Sequence, residues 1–243
     1  MPQARSSADG SAPVTQHREA GSGTATGSEV PAMEDVKPKW RGWIHTVMAP
    51  VSLVVGLVLT LTAPTSTGQI TTAVFAAATL ILFTTSAVYH RGTWSPAVAG
   101  VLRRLDHSNI FLVIAGTYTP LAALLLPHGT ATLLLWLVWA GAVLGLLARV
   151  FWLSAPRWLY VPIYVALGWV AVGFLPAFWT SGGPLLTMLV ILGGLGYTLG
   201  AVAYGFKRPN PVPGWFGFHE IFHTGTVIGY GCHAAAIGLA AWV

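Results

Sequence analysis

The segment His219-Glu-Ile-Phe-His223 sets two imidazoles one helical turn apart with a carboxylate between them. This is the H-E-x-x-H spelling of zinc metalloproteases, in which one helix offers both histidines to the ion and the glutamate serves as base. Residues at i and i+4 share a helix face, about 6 Å apart along the axis. Glu220 is turned about 100° from His219 and about 60° from His223, so it can approach a metal or face away. The run that follows, Thr224-Gly-Thr-Val-Ile-Gly229, lacks the glycine and third histidine of the long protease form at their spacing. His233 lies about 15 Å beyond His223 along a helix and cannot share the ion. A third ligand has to come from another part of the chain.

Composition bounds what that chain can be. Of its 243 residues 54% are apolar and 8% charged, against about 25% charged in soluble domains, and mean hydropathy is +0.67. So little charge cannot cover a surface facing water, and the expected solvent is a bilayer. The single cysteine, Cys232, excludes an internal disulfide and a thiolate cluster. Residues 1–39 differ: they are rich in Ser, Gly, Ala, Thr and Pro and hold Asp9, Glu19, Glu29, Glu34 and Asp35. With no apolar run, they read as a disordered cytoplasmic tail rather than a signal peptide, and His17 within it as a solvated side chain.

From Trp40 onward seven apolar stretches approach the length of about 20 residues that a bilayer requires: roughly 44–63, 70–90, 107–126, 131–149, 158–179, 184–205 and 216–242. Turn residues separate them, as in Pro64-Thr-Ser-Thr-Gly68, Pro127-His-Gly129 and Ser181-Gly-Gly-Pro184. The expectation is an all-α membrane protein, a seven-transmembrane-helix bundle over residues 40–243. Every Lys and Arg precedes the first stretch or falls in the second, fourth or sixth connection. The positive-inside rule then puts the N-terminus in the cytoplasm and the C-terminus outside. The same distribution accounts for the pI near 9.7: the basic residues set topology and meet anionic headgroups, and no aromatic-interleaved basic patch points to nucleic acid. Gly193, Gly194, Gly196 and Gly200 read as positions where helices approach closely.

Ionisable groups inside spanning helices are costly and therefore functional hypotheses. Beyond residue 42 the acids are Asp106 and Glu220, and the histidines are His45, His90, His107, His128, His219, His223 and His233. The topology carries His90, Asp106, His219 and His223 to one inner depth on three helices, with Asp106 and His107 opening the third. Ser86 stands one turn deeper than His90 on the same face. Three neutral imidazoles and an open position are how a catalytic zinc site is built. Such an ion would activate water, with Asp106 placed to orient or deprotonate it. Plainer roles exist for each residue alone: His90 at the membrane interface, Asp106 as a helix cap, Ser86 bonded back to its own helix.

Three separated motifs, Ser86-Ala-Val-Tyr-His90, Leu105-Asp-His-Ser-Asn-Ile-Phe-Leu-Val-Ile-Ala-Gly-Thr-Tyr-Thr-Pro120 and Phe218-His-Glu-Ile-Phe-His223, resemble the bacterial hemolysin III proteins. These are relatives of the progestin and adipoQ receptors, within a wider superfamily that includes alkaline ceramidases. The resemblance covers residues 40–243. It implies a seven-helix bundle with zinc held by His90, His219 and His223, Ser86 as the family's serine, and Asp106 contacting the water on the ion. Glu220 fills a position where the motif demands no acid. The leading expectation is a zinc-dependent hydrolase of a lipid amide or ester such as ceramide, with membrane lipids as its partners. Two alternatives stand beside it. One is a receptor-like or membrane-regulating protein with a structural zinc. The other is a pore-forming cytolysin, for which the sequence offers no polar, channel-lining stripe.

Overall fold

The computed structural model describes residues 38–152 and 154–243. The tail assigned to residues 1–39, His17 included, lies outside them apart from its last two positions. The described chain is helical: α1 (Trp43–Thr62), α2 (Ser66–Arg91), α3 (Pro96–Leu125), α4 (His128–Phe151), α5 (Arg157–Gly168), a 3-10 segment (Trp169–Phe174), α6 (Leu175–Phe206) and α7 (Phe218–Ala240). Five stretches are long and apolar enough to cross a membrane, namely α1, α2, α3, α4 and the continuous run Arg157–Phe206.

Local chemistry explains the boundaries. Thr65 starts α2, its hydroxyl accepting from the Gly68 N–H at 3.0 Å. Ser95 and Pro96 start α3 in the same way, as N-cap and first helical residue. That start differs from the sequence expectation: Asp106 and His107 do not open the helix but sit three turns inside it. The charged run Arg103-Arg104-Leu105-Asp106 imitates a connection by composition although its backbone is helical, so Asp106 cannot be a cap. The expected turn at Ser181–Pro184 appears as a break at Gly183, whose φ of 78° and ψ of 176° leave the helical region within α6. The halves of Arg157–Phe206 on either side of it run antiparallel. Tyr160 and Tyr204 meet through their hydroxyls at 3.3 Å, and the Trp169 indole N–H donates to Thr198 Oγ1 at 2.8 Å.

Consecutive helices pack side by side, and α7 lies against α1, α3 and α6. It also touches α2, where Phe75 and Phe83 meet the Tyr230 ring. The α6–α7 contact is made by glycine. A Cβ on Gly225 would lie 2.6 Å from the Gly196 carbonyl oxygen, and one on Gly200 3.1 Å from that of Phe222. Small residues drive such approach where lipid gives no hydrophobic force between helices. Gly194 faces Trp169 of the 3-10 segment instead.

The fold is apolar on its outside. Leu61, Trp136, Leu144, Phe151 and Leu199 are more than two-thirds exposed, whereas His45, Ser86, His90, Glu220 and His223 are buried. Tryptophans 40, 43, 94, 152, 158 and 215 are exposed around the end where the basic connections lie, the placement expected of an interfacial belt. Replacing Gly225 by Val is expected to lower stability by about 1–3 kcal/mol, because the branched side chain overpacks the α6–α7 contact. A thermal melt of the purified variant checks this, and an unchanged midpoint would show that the contact is not tight.

Candidate metal centre

The three histidines are carried by helices that the packing above forces together. His90 ends α2, while His219 and His223 occupy the first two turns of α7. Their rings converge: centroids are 4.7 Å apart for His90 and His219, 4.7 Å for His219 and His223, and 5.3 Å for His90 and His223. One nitrogen from each lies within 4.8 Å of the others, and all three residues are buried. Nε2 of His90 and Nε2 of His219 are 3.2 Å apart. Zinc–nitrogen bonds of about 2.0–2.1 Å at tetrahedral angles hold ligand nitrogens about 3.3 Å apart. The three imidazoles could hold a metal ion in number and chemistry, the His90–His219 separation suits zinc, and the buried Nδ1 of His223 finds no protein partner among the described residues.

Around this triad the other expected residues take distinct places. Asp106 Oδ2 lies 3.7 Å from His90 Nε2 and 3.6 Å from His107 Nδ1. Ser86 does not bond back to its own helix: its hydroxyl is buried, faces the Asp106 carboxylate and lines the same cavity as Asp106, His219 and His223. Glu220 turns away from the histidines. Its Oε1 accepts from Arg41 Nε at 2.6 Å and its Oε2 from the Gly217 N–H at 2.9 Å, so it neutralises a cation and satisfies a buried backbone donor at the α7 N-terminus at once. His233 bonds the Val190 carbonyl at 3.1 Å far along α7, and His128 is exposed at the start of α4.

Three participants were not assigned from the sequence. His45, in the first turn of α1, stacks on His223 with centroids 3.7 Å apart and planes at 12°. It is buried, and neither of its nitrogens has a protein partner among the described residues. The rule that singled out the other intramembrane histidines applies equally to His45. Arg41 could have been matched to Glu220 as the cation at the same depth as the one carboxylate of the last span. Gly42, with φ of 83°, lets this strand of chain pass His90, since a Cβ there would come within 2.6 Å of the His90 Cβ. The third participant is a polar chain from α3 to α6. His107 Nδ1 donates to the Arg103 carbonyl at 2.9 Å, which leaves Nε2 to accept from the Tyr204 hydroxyl at 3.1 Å, and Tyr160 donates to Tyr204 in turn.

Two cavities meet at these residues. One is apolar, about 120 Å³ on the scale of water-molecule centres, and runs from His219 and His223 to Trp169 and His233. On α7 that is about 15 Å, half of a hydrocarbon core about 30 Å thick. The other is a vestibule of about 1110 Å³ on the same scale, between the basic connections, reaching His90 and His219. His107, Tyr160, Tyr204 and His219 line both.

Glu220→Gln separates a structural role from a ligand role. Breaking the ion pair should lower stability by about 2–3 kcal/mol, less than for a fully enclosed pair because Arg41 keeps some exposure. Zinc uptake by the purified variant should stay intact. Lost uptake with an unchanged melting midpoint would make Glu220 a ligand instead.

Comparison with known proteins agrees with this architecture. The family model described as "Haemolysin-III related" matches residues 33–234. The chain is 29% identical over 135 residues to the "Hemolysin-3 homolog" of Bacillus subtilis (strain 168), covering 56% of this chain and 63% of that one. It is 27% identical over 145 residues to "Hemolysin-3" of Bacillus cereus, covering 59% of this chain and 65% of that one. Each match thus spans just under two thirds of the relative. The chain is a multi-pass integral protein of the cell membrane, and it belongs to the haemolysin-III-related family.

Proposed function

We propose that this chain is a zinc-dependent hydrolase working inside the membrane on a lipid amide or ester, with His90, His219 and His223 as the metal ligands. The carrying observation is that His219 and His223, the Asp106 carboxylate and the Ser86 hydroxyl line one apolar cavity, while His90, which completes the triad and lies beside Asp106, opens onto the adjoining vestibule. A zinc ion held there would supply Lewis acidity, polarising a carbonyl and lowering the pKa of water.

The chain's own residues divide the remaining work. The apolar cavity takes an acyl chain and excludes bulk water, which strengthens every polar interaction at the reacting end. Ser86 Oγ, free to turn its proton, donates to the carbonyl oxygen as charge builds on it. Asp106 Oδ2 removes the proton from the attacking water and returns it to the leaving amine or alcohol as the C–N or C–O bond breaks. His45, stacked on His223, fixes the plane of that ring.

The reading includes a bundle of seven spans over residues 40–243, with the N-terminus and a tail over residues 1–39 on the cytoplasmic side. As one rod, Arg157–Phe206 would reach about 75 Å, more than twice a hydrocarbon core. The break at Gly183 and the antiparallel Tyr160–Tyr204 and Trp169–Thr198 pairs support counting it as two spans, with α7 as the seventh. The basic connections support the orientation.

The purified chain is expected to carry about one zinc, lost in His90→Ala, by elemental analysis. Against a panel of ceramide-like amides and lipid esters, turnover should fall at least 100-fold in Asp106→Asn with zinc retained. A wild type no faster than His219→Ala on every lipid would end the catalytic reading.

A further inference from the structure

We infer that the vestibule beside the metal centre is a binding site for a phosphate-bearing ligand, so that the molecule handled here carries an anionic phosphate group next to its acyl chain. This rests on the reading of the centre as a lipid-handling site and narrows its substrate class.

The vestibule is lined by Arg41, Arg103, Arg149, Arg157 and Lys207, together with His90 and His219. The acids among the described residues are Asp106 and Glu220. Glu220 is engaged by Arg41, and Asp106 faces the histidines from the apolar side. Arg103, Arg157 and Lys207 therefore meet no carboxylate among the described residues.

Topology alone does not explain where these cations point. Basic residues that only set orientation extend outward to the headgroups, as Lys39 and Arg91 do. Each lies 4.0 Å from a ring of the exposed belt, Trp215 and Trp43 respectively. Arg149 and Arg157 turn the other way. Their guanidinium groups lie 4.2 Å from the Tyr160 ring and 4.4 Å from the Tyr204 ring, both tyrosines buried in the wall that the two cavities share. Arg149 is itself buried at 3% exposure. Arg149 donates to the Trp152 carbonyl and Arg157 to the Tyr204 carbonyl, each at 3.3 Å, and guanidinium groups fixed in this way on aromatic faces hold their positive charge beside the vestibule, the chemistry that recognises phosphate.

The distances give the ligand its shape. An acyl chain in the apolar cavity brings its polar end past His219 and Tyr204, where the vestibule begins. A neutral headgroup would leave those cations to water, because Arg103 and Lys207 are exposed. A phosphate there is a countercharge.

The test uses the full chain in a neutral detergent, with binding followed by native mass spectrometry. Probes are palmitoyl lysophosphatidic acid, monopalmitoylglycerol (the same chain without phosphate) and inorganic phosphate. Lysophosphatidic acid should bind about tenfold or more tightly than monopalmitoylglycerol, with the preference shrinking as salt rises. Arg157→Gln and Arg103→Gln should each reduce the preference several-fold. Arg103, exposed and without the ring packing of Arg157, serves as the variant least able to disturb the fold. Displacement by millimolar inorganic phosphate would support a site for the free anion, and failure to displace would support phosphate as part of a lipid. Equal binding of the two lipids, or a preference that both variants keep in full, overturns the inference. Zinc content and turnover are measured on the same samples. A lost preference with both intact removes this inference alone, and a retained preference in a chain without zinc or turnover removes only the hydrolase reading.

Discussion

In a medium that cannot solvate charge, an ionised side chain enters a protein only with its partner. The Arg41–Glu220 pair is that constraint made local. Glu220 is enclosed while Arg41 keeps 19% of its side chain exposed, and they join the segment leading into α1 to the first turn of α7. Backbone bonds from Lys39 and Trp40 to Gly214 and Trp215 tie the same two pieces together. Once that junction is made, Gly42 must pass over His90, and His45 comes down on His223. The convergence of the three histidines follows from where this one charge found its counterpart.

Away from the junction the chain follows the same rule in reverse. Exposed leucines, valines and tryptophans cover α1, α4 and α6, and close approach of α7 to α6 is carried by Gly196, Gly200 and Gly225 rather than by large side chains. The interior can thus hold imidazoles, hydroxyls and a carboxylate without a conventional core around them.

Five long apolar stretches could be read from hydropathy because lipid imposes length on any segment that crosses it. The charge asymmetry of the connections grouped His90, Asp106, His219 and His223, and the fold brings these residues together. What escaped that reading shares a cause. Pro96 to Asp106 is helical but carries Arg103, Arg104 and Asp106, so a criterion built on apolarity began the helix too late. Glu220 sits between two histidines in the motif, and only the tertiary pairing with Arg41 says which way it turns. His45 is isolated in sequence, and stacking on a ring 178 positions away (223 less 45) leaves no local pattern. The break at Gly183 was visible because it is a property of Gly-Gly-Pro itself.

A cluster of buried polar groups normally satisfies itself. The chain from His107 through Tyr204 to Tyr160 does so, each hydrogen having one assignable acceptor. The neighbouring cluster does not. His90 and His219 bring two nitrogens to 3.2 Å from each other, and His223 Nδ1 is left without a protein partner among the described residues. Leaving such a group unsatisfied costs about 1–3 kcal/mol, a cost that a bound guest beside the triad would offset. Local rules are broken in this way where a site is kept ready for a guest. Three imidazole nitrogens gathered within 4.8 Å of one another suit a cation, and a hydroxyl and a carboxylate beside them suit a polar molecule next to it. The apolar cavity on one side and the basic vestibule on the other set what that molecule must be: a chain that avoids water joined to a head that carries negative charge.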